Sequence, residues 1–138
     1  MATKYPIQDP VEIYEVGANG ENITIFSGAM TSIEVLRQGN HYSVTIKAKT
    51  HTYFMDNKLI RCSFQDKAAT YEQVVRQVIA KYPDAAYIQI PDDRPTQTML
   101  VQYDETDWAF LKRLASHFNT VLIPDMLGTS PCFWMGIR

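Results

Sequence analysis

Three carboxylates, Asp104, Glu105 and Asp107, fall within four consecutive positions around Thr106. Paired carboxylates are the equipment of glycoside cleavage and serve general acid–base catalysis elsewhere. The pattern around these three favours a structural role. Thr106 is suited to cap a helix by accepting from a first-turn amide. Asp107, just inside, sits where the helix dipole favours negative charge. Residues one apart on a helix do not face each other, so adjacent acids do not make a working pair. His41, His51, His117, Cys62 and Cys132 are the other groups with ligand or nucleophile chemistry. None stands in a spacing that builds a zinc site or places a Cys–His pair, so no metal and no cofactor is expected. Gly17, Gly20 and Gly28 show no phosphate-loop pattern, and Lys47 and Lys49 on alternate strand positions read as a solvated face.

The elements that carry these residues are legible from periodicity. Trp108, Leu111, Ala115 and Phe118 recur at helical spacing, and Phe110 and Leu114 widen the stripe. Aromatic residues so spaced are expected in a core rather than stacked on a sugar or base; Phe110, off the main stripe, is the one open to a partner chain. A first helix starts at the capping box Thr70-x-x-Gln73 and carries the stripe Tyr71, Val74, Val75, Val78, Ile79 and Tyr82, with Pro83 as its stop. Before it lie β-type runs: 11–16, 23–35 with Gly28 as a bulge or close-approach point, and 41–49. In the last, Tyr42, Val44, Ile46 and Ala48 alternate with polar residues as a half-buried strand. Residues 52–55 are expected to continue the sheet and 59–64 to form another strand. Further strands are expected at 87–90, 98–103, 120–123 and 132–135. The order predicts an α+β domain: a mostly antiparallel sheet or partial barrel with two covering helices. It reads as a single module over 1–138, with a loose arm at 1–10, a β-rich part at 11–66 and an α+β part at 67–138.

Composition narrows the function. A hydrophobic content of 46% over 138 residues is enough for a core without disulfides. A net charge of −2, spread as −1 on each side of Asp66, leaves no electrostatic footprint for nucleic acid. Two cysteines 70 positions apart make no disulfide framework. No apolar run approaches the roughly 20 residues of a membrane span.

The run Gln102-Tyr103-Asp104-Glu105-Thr106-Asp107-Trp108-Ala109-Phe110-Leu111-Lys112-Arg113-Leu114 resembles a signature of the phage late control D / VgrG-like family. These are the central baseplate hubs of contractile tails and contractile injection systems. Phe64-Gln65-Asp66, followed by Thr70-Tyr71, resembles a second motif of Firmicute phage and prophage hubs, and Phe26-Ser27-Gly28 a third. The motif residues carried over are Phe64, Gln65, Asp66, Tyr71, Tyr103, Glu105, Thr106, Asp107, Trp108, Phe110, Leu111, Arg113 and Leu114. The resemblance implies a non-enzymatic, trimeric structural protein between the tail tube and the central spike. It would be assembled in the host cytoplasm and then reside in the tail. Family hubs are longer, so the chain is expected to be a piece of one. Exposed strand edges and side chains such as Ile23, Ile25, Phe133 or Trp134 are then expected to drive self-association. The competing readings are a tail-associated cell-wall hydrolase using Asp104, Glu105 or Asp107, and a small adaptor pairing through sheet edges.

Overall fold

The computed structural model describes residues 9–90 and 93–136. Most of the expected arm, residues 1–8, therefore lies outside the described residues, as do Pro91, Asp92, Ile137 and Arg138. The chain is α+β, and its strands are mostly antiparallel. They form three small sheets, with no closed barrel among the described residues. It divides into two compact units, one running through His51 with Met126–Thr129, the other comprising Thr52–Asp125 with the segment from Ser130 onward.

The first unit is a meander of β1 (Pro10–Val16), β2 (Asn22–Gln38) and β3 (His41–Lys49). Its turns occur where glycine permits a positive φ, at Gly20 (φ 81) and Gly39 (φ 62). Gly28 is a close-approach point rather than the bulge. A Cβ there would overlap the Lys49 carbonyl oxygen and lie 2.7 Å from the Phe26 ring. The register shifts instead between Ile13 and Tyr14 and between Met30 and Ser32. The alternation of β3 is present, but Tyr42, Val44 and Ile46 are exposed rather than half-buried.

The second unit holds the core. Residues 52–55 do not continue the sheet; they belong to a 3-10 helix, His51–Asp56. The reason is tertiary: the turn buries Met55 completely and brings the Asp56 carboxylate to the Thr106 hydroxyl, 2.6 Å away. Strand β4 (Leu59–Phe64) pairs antiparallel with β6 (Leu100–Thr106). Helix α1 (Tyr71–Ile79) starts at the full capping box: Thr70 Oγ1 accepts from Gln73 N, and Thr70 N donates to Gln73 Oε1. It ends at Ile79, ahead of Pro83. Strand β5 (Ala86–Ile88) pairs parallel with β8 (Cys132–Met135), an arrangement the periodicity does not reveal, and β7 (Leu122–Pro124) pairs antiparallel with β8. Helix α2 (Asp107–Ser116) follows β6 without a loop. The buried faces of α1 and α2 meet Leu100 of β6 and Phe133 and Met135 of β8 in one cluster. Each large apolar side chain buried there contributes about 1.5–3 kcal/mol. Phe133 is fully buried and so is not available for self-association.

Candidate functional site

The join between β6 and α2 concentrates the charged side chains of the second unit. Thr106 is the N-cap, its hydroxyl accepting from Ala109 N at 3.1 Å. Asp107, expected as a partner of the helix dipole, is fully buried. Its carboxylate accepts from Lys81 Nζ at 2.8 Å, Tyr82 OH at 2.6 Å and Gln102 Nε2 at 2.9 Å. Lys81 and Tyr82 lie just past the end of α1, so one buried carboxylate ties the end of the first helix to the start of the second. Burial, with the hydrogen bond to Asp107 second, raises the pKa of the Tyr82 hydroxyl. Gln102 Nε2 also donates to the Glu105 carbonyl, leaving its buried Oε1 without a partner among the described residues.

The two neighbouring acids are occupied differently. Glu105 receives a two-pronged contact from Arg113, at 3.1 and 2.8 Å. The same guanidinium donates to the Val101 carbonyl and lies over the Phe110 ring. That contact with Glu105 is the first cause holding the Arg113 pKa above its ordinary value. Asp104 adopts φ 45, a left-handed conformation, and takes both prongs of Arg61, at 2.7 and 3.1 Å, while Arg61 stacks over Tyr103. Each carboxylate of the cluster thus faces a basic side chain of its own. In a catalytic acid–base pair one carboxyl stays protonated to serve the leaving group while the other, ionised, acts as base or nucleophile across the substrate. This arrangement clamps a helix to two strands and to a second helix.

The remaining motif residues have packing roles. Phe110 does not face outward: it is fully buried and stacks on Phe64 at 5.3 Å, with Leu111, Leu114 and Ala115 equally buried. Trp108 is only partly buried and meets Phe133 edge-on. Asp66 accepts from Ala68 N in the turn before α1, and Gln65 donates to the Ser63 hydroxyl. Tyr71 is buried, edge-on to Phe118, with its hydroxyl at His117 Nδ1. A second polar cluster carries no motif in the sequence: Tyr87 donates to Glu72, which also pairs with Arg76 and lies beside Asp93. These contacts, the Tyr87 hydrogen bond first, hold the Glu72 carboxyl below its ordinary range. No group of three or more His, Cys, Asp or Glu residues among the described residues is arranged to hold a metal ion. No helix among them is long and apolar enough to cross a membrane.

Residues 7–118, from before β1 through α2, match the family model described as phage tail baseplate hub (GPD). No curated protein matches the chain. The family match covers well over half of the sequence, and the chain belongs to the phage tail baseplate hub family. Its role is that of a structural component of the tail baseplate.

Proposed function

We propose that this chain is part of a trimeric hub joining the tail tube to the central spike of a contractile tail or a related injection particle. The single observation that carries the reading is the family match over 7–118. The bonding of Asp104, Glu105 and Asp107 supports it, since each is committed to holding secondary structure together. In this reading the second unit is a rigid block whose shape is its function. The first unit supplies the apolar, strand-edged surface that a ring of subunits has to bury. Assembly takes place in the host cytoplasm before the particle is complete, and the partners are further copies of the hub, the tube and the spike.

The test is to locate an epitope-tagged copy in intact tail particles by electron microscopy with three-fold and six-fold averaging. Three copies between the end of the tube and the spike are expected. A tagged chain absent from particles, or found on the sheath or fibres, would overturn the reading. Peptidoglycan clearance that disappears with Glu105→Gln would favour the hydrolase instead.

A further inference from the structure

Strand β4 has a neighbour on one side only. It pairs with β6 in a two-stranded sheet, and among the described residues no backbone hydrogen bond reaches its other side. All of its residues are exposed or partly exposed, with Leu59 at 61%. Open edges are normally guarded by a proline, a projecting charge or a bulge. β4 has no proline, and the bulge lies in β6, where Tyr103 and Asp104 stand opposite the single Arg61. Its one charge is folded back onto β6: the Arg61 guanidinium donates to both oxygens of Asp104 and lies over the Tyr103 ring. Along the strand, Ile60, Cys62 and Phe64 share the side of the core, where Phe64 stacks on Phe110, and Leu59, Arg61 and Ser63 share the other.

We propose that this edge takes the same edge of a second copy, β4 against β4, antiparallel about a two-fold axis that sets Cys62 opposite Cys62. Facing residues of antiparallel strands lie on one side of the sheet, so one residue has to face its own copy; otherwise core-side residues would face outer ones. Arg61 facing itself would oppose like charges. Ser63 facing itself would set Ile60 opposite Asp66. Cys62 facing itself sets Ile60 opposite Phe64 on the core side and Arg61 opposite Ser63 on the other, and no like charges face. The product is a four-stranded antiparallel sheet in the order β6-β4-β4-β6, with both core sides on one face and the open edge satisfied. The pairing does not rest on the hub reading. The edge belongs to the second unit, whereas the ring is proposed to bury the first, and the particle experiment decides that reading separately.

Cys62 reports the register directly. Facing residues of antiparallel strands have Cα atoms about 4.5–5.5 Å apart, within the range a disulfide spans. The purified chain is expected to sediment as a dimer under reducing conditions, with circular dichroism confirming that each variant folds. Diamide, which takes up the electrons and protons of the two thiols, should link the Cys132→Ser variant into a covalent dimer and leave the Cys62→Ser variant unlinked. Ser63→Lys faces Arg61 twice across the axis and should weaken the dimer by about threefold or more, whereas Ser63→Glu should tighten it. A strictly monomeric chain, a dimer that diamide does not link at Cys62, or Ser63 variants that leave the dimer unmoved would each overturn the pairing.

Discussion

Both units alternate apolar and polar residues, yet only one has a core. In the second unit Phe110, Leu111, Leu114, Phe133 and Met135 are fully buried, because two helices supply a second layer over the strands. In the first unit the alternation of β3 is as regular, but Val44 and Ile46 remain about half exposed. Alternation makes a sheet two-faced; only a second layer turns one face into a core. Folding stability is therefore concentrated in the second unit, and the first offers surface.

The largest expected effect tests that concentration. Phe110→Ala should destabilise the chain by about 3–5 kcal/mol, the cost of deleting a fully buried aromatic. Trp108→Ala should cost less, because part of its ring already meets solvent. Denaturant unfolding that ranks Trp108 above Phe110 would reverse the packing of α2. Asp107→Ala should follow at about 3 kcal/mol, the lower end for breaking a buried pair. Half-exposed Lys81 can return to water, whereas Tyr82 and Gln102 lose their acceptor. A loss below about 1 kcal/mol in the same assay would reduce Asp107 to a partner of the helix dipole alone.

How much of this was legible depended on how local the cause is. The capping box of α1 is complete within four residues, and the stripe expected there is buried from Tyr71 to Ile79, with Tyr82 lying past the helix end. The expected stripe of α2 includes Phe110, Leu111, Leu114 and Ala115 but is centred off the buried face, which runs Asp107, Phe110, Leu111, Leu114 and Ala115. A carboxylate heads that face, so hydrophobic periodicity shifted the stripe onto Trp108. What allows Asp107 to be buried is Lys81, which lies 26 positions away and gives no local signal. The two register shifts in β2 and the parallel pairing of β5 with β8 are likewise tertiary. Residues 52–55 lack the alternation of β3 and follow the demand to bury Met55.

Gly28 sharpens the comparison from the other side, because the first unit is tightly packed at this point. Gly28→Ala drives a methyl into the Lys49 carbonyl and the Phe26 ring, and should cost about 1–3 kcal/mol as an overpacked site. Thermal unfolding unchanged by the substitution would mean that β3 can move away from β2 there.

A smaller effect is set by pH. The Tyr87 hydroxyl is pushed up to about 12, by burial first and then by its hydrogen bond to Glu72, and Tyr82 is pushed up as well. A phenol whose folded value exceeds the unfolded value near 10 favours the folded state fully below about pH 10. That contribution is lost as pH rises from about 10 towards 12. Denaturation midpoints measured across this window should fall, and fall less steeply for Tyr87→Phe. An identical slope for the variant would remove Tyr87 from the alkaline transition.

The smallest expected effect is the most exacting for the comparison. Val44→Lys should change unfolding free energy by no more than about 0.5 kcal/mol, the range for surface substitutions. The side chain is 58% exposed, so little apolar area returns to water on its loss. The methylene stem of a lysine can lie along Val35, its cross-strand neighbour, with the ammonium in solvent. The loss of β-branching amounts to a few tenths of a kcal/mol at an open strand position. A cost of about 2 kcal/mol or more would be the signature of a buried valine. It would mean that something in the monomer covers this face, and the contrast between a packed second unit and an open first one would fail at its central residue.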